Sequence, residues 1–305
     1  MSKKQIALAV LLVILIVVLV AAIIVDSKFA AILSSPKISY ESLVKPETRA
    51  EIVIDVPKLK DIIKRKLPAN VPDWLLPRAL PYEAALVANL DYVLNKMDLT
   101  LFINDQRLAP VLLDQINRLK LPAPLDRWFS EKMAWKERGK MIRKGEVPMD
   151  MSFLSRVKGI VKGKAGVGAP LRIEGGHLFE AALDNRDGSL LAMAGTIAAA
   201  ATRADVTDPS IDGYLGMVAP LDAVRVQADL TDPKTLQVHI ALECAPGTEA
   251  AQVQMLSMGL SMGLSYAQQP LAKAGITLTG KAVVKDNIVT GDYTVPNFDA
   301  VLAKM

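Results

Sequence analysis

AVRVQADLTDPKTLQVHIALEC, residues 223–244, is the stretch on which the fold turns. In its first arm Val224, Val226, Ala228 and Leu230 alternate with Arg225, Gln227 and Asp229. In its second arm Leu236, Val238, Ile240 and Leu242 alternate with Gln237, His239 and Glu243. A period of two places one set of side chains on each face, so both arms predict half-buried antiparallel strands. Thr231–Thr235 joins them, with Asp232 and Pro233 suited to a hairpin turn.

Downstream, Pro246-Gly247-Thr248 opens a helix with Thr248 as its cap, expected to end near Gln269 before Pro270. Strands follow near 276–285 and 288–295, joined at Asp286-Asn287, and a short helix spans 297–304. The order ββαββα predicts a four-stranded antiparallel sheet with one face under the long helix.

Upstream, Arg49–Val56 alternates in the same way and runs into Pro57, with Leu59, Ile62 and Ile63 beyond it. Val295 runs into Pro296, with Phe298, Val301 and Leu302 at the same offsets. Proline suits a first helical turn, where its missing N–H loses nothing. Met97–Ile103 with Leu108, Val111 and Leu112 gives a third, weaker version, so two related α+β halves or one pseudo-symmetric domain are expected. Between them, Pro68–Pro81 is read as a kinked connector and Lys132–Val147 as a hairpin turning at Arg138-Gly139. Val157–Gly168 is read as a basic loop and Leu190–Ala201 as a helix.

Ile6–Val25 is an unbroken run of 20 apolar residues without charge, Gly or Pro. At 1.5 Å per residue such a helix is about 30 Å long, the hydrocarbon thickness of a bilayer. The run is longer than a signal-peptide core and has no good cleavage site after it, so an uncleaved single-pass anchor is expected. Lys3 and Lys4 precede it, which predicts a cytoplasmic N-terminus and an extracytoplasmic domain facing a bacterial periplasm. The lone Cys244 excludes an internal disulfide, and no N-x-[ST] sequon occurs. The expected organisation is a tail (1–5), a transmembrane helix (6–25), a tether (34–48), an α+β half (49–204) and the ββαββα module (205–305). The fold class is therefore α+β: a transmembrane helix, then antiparallel sheets covered by helices.

The charge is segregated. Residues 127–164 hold 11 Lys/Arg against 4 Asp/Glu, whereas residues 205–305 hold 6 against 11. All of the net +4 thus comes from one stretch. That stretch carries the candidate interaction surface: Trp135, Lys136, Arg138, Lys140, Arg143, Lys144, Lys158, Lys162 and Lys164. Its expected partner is a protein or an anionic envelope polymer; nucleic acid is not expected. In 248–269, Ser257, Gly259, Ser261 and Gly263 make a strip of small residues suited to close helix packing, beside Met255, Met258 and Met262.

Catalytic chemistry finds no pattern. Gly159, Gly163 and Lys164 miss the phosphate-loop spacing and are followed by Ala165. His177 and His239 stand alone, without H-E-x-x-H, and His239 shares the polar parity of Gln237. Cys244 shares the buried parity of Ile240 and Leu242, which makes it an inert thiol. Asp205, Asp208 and Asp212 fall in a Pro/Gly connection and suit turn capping. No G-x-S-x-G elbow is present. The expectation is a binding or assembly protein without cofactor, metal or catalytic residues, with a lipid- or amphiphile-binding module as the second reading and an unrecognised enzyme as the third.

Overall fold

The structure, a computed structural model, describes residues 39–66, 81, 83–104, 128–129, 134–136, 140–150, 169, 171–202, 215–216, 218–273 and 278–298. In chain order the strands are β1 (Thr48–Asp55), β2 (Glu83–Asp91), β3 (Lys96–Asn104), β4 (Ala134–Lys136) and β5 (Lys140–Pro148). They continue with β6 (Phe179–Asp184), β7 (Leu221–Asp232), β8 (Thr235–Cys244), β9 (Thr279–Lys285) and β10 (Ile288–Val295). The helices are α1 (Lys60–Lys66), α2 (Ser189–Thr202) and α3 (Ala250–Lys273).

All ten strands form one sheet in the order β4-β5-β3-β2-β1-β6-β7-β8-β10-β9, and every pairing is antiparallel. The β7–β8 hairpin is the quoted stretch, extended slightly at its start. The β4–β5 hairpin closes with Lys136 opposite Lys140.

From β3 to β9 one face of the sheet is apolar. A single row of cross-strand neighbours reads Leu101, Leu86, Ile52, Ala181, Val226, Ile240, Gly291 and Ala282. The helices lie on this face. Ile62 of α1 and Ala192 of α2 join the main core with Ile54, Ala88, Met97, Leu99 and Val147. Val253 and Leu256 of α3 pack on Cys244 and Val289. The other face changes character across the sheet: its row runs Ile142, Phe102, Ala85, Val53, Glu180, Gln227, His239, Asp292 and Lys281. Its apolar half is covered by a 3-10 turn at Tyr40–Leu43 and by Ile173, which build a second core on Ala85, Val87 and Phe102. On its polar half Glu180 is buried, while Asp292 and Lys281 are exposed.

Two expectations are corrected. The fold is dominated by one continuous antiparallel sheet with few helices, not by sheets covered by helices after a transmembrane helix. The physical reason is β6, which pairs β1 on one edge and β7 on the other and so leaves the backbone ladder no break. The single-pass localisation is also overturned: among the described residues, no helix is long and apolar enough to cross a membrane. At 24 residues α3 has the length, but Gln252, Gln254, Ser257, Ser261 and Gln268 interrupt its apolar character. The run Ile6–Val25 lies outside the described residues, as do the tether's first residues, the Pro68–Pro81 connector except Pro81, and the Val157–Gly168 loop.

Helix α3 differs in detail from its sequence reading. It continues through Pro270 to Lys273. Thr248 does not cap it; its hydroxyl donates back to the Ala245 carbonyl at 2.6 Å.

Candidate functional site

A cavity of about 170 Å³ opens between α3 and the β9–β10 hairpin. Ser261 and Gln268 line it from the helix, and Leu278, Gly280, Lys281, Ala282 and Tyr293 line it from the strands. Its geometry follows from two glycines on the apolar face. Gly291 and Gly280 offer no side chains, so the Tyr293 ring lies along the sheet over them. A Cβ on Gly291 would sit 2.4 Å from the Tyr293 hydroxyl, and one on Gly280 would sit 2.5 Å from the ring. An aromatic ring covering strand glycines in this way repairs the packing those glycines leave open.

Tyr293 is only 4% exposed, yet its hydroxyl has no hydrogen-bond partner. Burial, with the nearby Asp292 charge adding to it, pushes the phenol above its ordinary range, so it remains an O–H donor at neutral pH. Gln268 crosses the end of the cavity and donates from Nε2 to the Leu278 carbonyl at 3.1 Å. Ser261 donates to the Ser257 carbonyl at 2.9 Å. No carboxylate is among the described lining residues.

Both histidines lie on the opposite, polar face, and each is paired with an aspartate. His239 Nδ1 and Asp292 Oδ1 are 2.7 Å apart on neighbouring strands. His177 Nδ1 shares a hydrogen bond with Asp229 Oδ2, and Lys58 Nζ sits 3.7 Å from Asp229 Oδ1. Burial acts to raise the Asp229 carboxyl, but the His177 bond, the Leu178 amide and the nearby Lys58 charge outweigh it and hold it low. Glu180 is buried and accepts the amides of Glu174, Gly175 and His177, which fixes this corner. Among the described residues no cluster of metal-ligating side chains occurs.

Two buried charged groups are structural. Arg49 donates to Asp187 at 2.7 Å and to the Tyr92 hydroxyl at 2.8 Å. Glu51 is wholly buried and meets Arg172 Nε at 2.5 Å. Burial raises the Glu51 carboxyl, and the Arg172 charge with the Ile173 amide only partly offsets this.

The residues singled out from sequence are scattered. Trp135 and Lys136 fall in β4, and Lys140, Arg143 and Lys144 in β5. Arg143 donates to the Phe129 carbonyl at 2.7 Å and lies over that ring, so its guanidinium is engaged. Lys144 is exposed on the other face. Arg138, Lys158, Lys162 and Lys164 lie outside the described residues. On α3, Ser261 and Gly259 are exposed and Ser257 half-buried; Gly259 has open space where a side chain would stand. Gly263 falls within α3. The helix meets its sheet through Val253, Leu256 and Leu260, while Met255, Met258 and Met262 point to solvent.

Comparison with known proteins adds little. No family model matches the chain, and no curated protein matches it. Solved structures of TP0453 share a loose likeness. Crystal form I has a TM-score of 0.32 and 11% identity over 85% of this chain and 96% of that one. Form III has a TM-score of 0.34 and 8% identity over 86% and 99%. Form IV has a TM-score of 0.32 and 11% identity over 87% and 98%. Likeness this low carries no argument about this chain.

Sequence reasoning missed the cavity. Tyr293 and Gly291 looked like ordinary positions of a final strand, and the only available signal was a glycine two residues before an inward-facing tyrosine.

Proposed function

We propose that this chain works by binding, and that its ligand is a small amphiphile held between α3 and the β9–β10 hairpin. The observation that carries this reading is the cavity itself, which opens between α3 and the β9–β10 hairpin on an apolar lining of Leu278, Ala282 and Tyr293. The cavity also has far more room than the about 10–15 Å³ that one water needs.

The composition of the walls favours holding over turnover. Ser261 and Gln268 stand beside an apolar lining of Leu278, Ala282 and Tyr293. Among the described lining residues neither an imidazole nor a carboxylate stands beside them to shuttle protons. A few placed polar groups on an apolar lining is the usual make-up of a small-molecule site.

The test uses 1-octanol as a neutral probe, followed by saturation-transfer NMR on the full chain. Ser261 is exposed on α3, so Ser261→Trp can cover the mouth without entering a core. Saturable octanol signals in the parent that vanish in S261W, with unchanged circular dichroism, are expected. Saturable binding that persists in the variant overturns the reading, as does its absence from the parent.

A further inference from the structure

We infer that β9 pairs antiparallel with β9 of a second copy of this chain, about a two-fold axis at Ala282. This pairing goes beyond the binding role proposed above and stands without it.

β9 is the last strand of the sheet, and among the described residues no strand pairs its outer edge. Backbone amides and carbonyls are therefore open along a strand of seven residues, Thr279–Lys285. An edge of this kind recruits a further strand unless it is blocked. The strand at the opposite end, β4, has only three residues. Every residue of β9 except Ala282 and Val284 is exposed, and the exposed ones include the apolar Val283.

The charges choose the partner. Thr279, Lys281, Val283 and Lys285 share one face of the strand. An antiparallel copy matched over the whole of Thr279–Lys285 sets Lys281 beside Val283 and Lys285 beside Thr279, so no like charges meet. A slip of two residues sets Lys281 against Lys281 in one direction and against Lys285 in the other, and like charges directly opposed are unfavourable. The lysines that guard the edge thus leave one full-length register open. It is self-complementary, as a two-fold contact requires, and it covers Val283 with the stem of a lysine.

The axis falls on Ala282, which also lines the cavity, so two cavities adjoin across it. α3 flanks the contact. Ser261 lines the cavity from α3, and Met258, three residues earlier on the same side of that helix, is exposed. One short edge strand buries less than the about 800 Å² per partner of a standard stable interface, so a Kd of tens of micromolar is expected.

Sedimentation equilibrium of the full chain across the micromolar range reads the association. Thr279→Glu places an acid beside Lys285 twice in each dimer and should tighten it about fivefold, whereas Thr279→Lys should weaken it about fivefold. Thr279 is exposed, so neither change enters a core. A monomer at every concentration overturns the pairing, as does an association that ignores both changes. Single cysteines read the register, because Cys244 is 0% exposed and does not compete. Under mild oxidation Ala282→Cys should form a disulfide-linked dimer about tenfold faster than Lys281→Cys or Val283→Cys, since only directly opposed residues lie within the about 4.4–6.8 Å that a disulfide spans. Cross-linking no faster at 282 than at 281 or 283 overturns the pairing as well.

Discussion

Asp187 accepts hydrogen bonds from Arg49, Tyr92, and the hydroxyl and amide of Ser189. Arg49 and Asp187 are 4% and 1% exposed, so neither charge can fall back on water. Burial acts to raise the Asp187 carboxyl, but Ser189, Arg49 and Tyr92 together outweigh it and hold it below the usual carboxylate range. A depressed carboxylate contributes stability that is complete above its unfolded pKa, about 3.9, and is lost as the pH falls through the folded value. Asp187→Asn strands a buried guanidinium and should cost about 3–5 kcal/mol at pH 7. In urea titrations from pH 7 down to pH 2, the gap between parent and D187N should close below about pH 4. A gap that stays constant across that range would show that the carboxylate charge contributes nothing.

At the level of elements, β2 and β6 explain why the sheet was only partly legible. Each contains the same four residues in a row, Glu83-Ala84-Ala85-Leu86 and Glu180-Ala181-Ala182-Leu183. By propensity, Glu, Ala and Leu favour a helix, so neither segment stood out as a strand. In the fold they flank β1 on either side, where the alanines let both faces pack closely. Their glutamates stand on the opposite face, where Glu83 accepts the Tyr40 amide and Glu180 the 174–177 loop. Long-range pairing overrides local preference here, and no pattern within either segment announces its partner. The β7–β8 hairpin was legible because its alternation is local. The cavity was not, because it arises from Gly280, Gly291 and Ser261, which only the folded sheet brings together. β5 offers a test of how tightly these elements fit. A Cβ on Gly145 would sit 2.4 Å from the Trp128 carbonyl, with backbone and not a flexible side chain in the way. Gly145→Ala should therefore destabilise by about 1–3 kcal/mol, read as a lower urea midpoint. An unchanged midpoint would mean that Trp128 does not sit so close to β5.

Over the whole molecule, sequence suggested a boundary near residue 205, and the sheet runs across it. β6 carries hydrogen bonds to β1 and to β7. Leu230 and Leu236, from the far side of that boundary, pack against the same core as Ile54 and Met97. Neither side can release its strands without exposing backbone groups and apolar surface of the other. The expected outcome is one cooperative transition for the chain from β1 to β10. Ala182 sits in the middle of β6 and is 1% exposed, and a proline there removes a ladder bond from the joining strand. In A182P, amide exchange followed by mass spectrometry should speed up in β2–β3 and in β8–β10 alike, because both lose the same global stability. Faster exchange confined to one side of β6 would mean that the sheet, although continuous, unfolds in two parts.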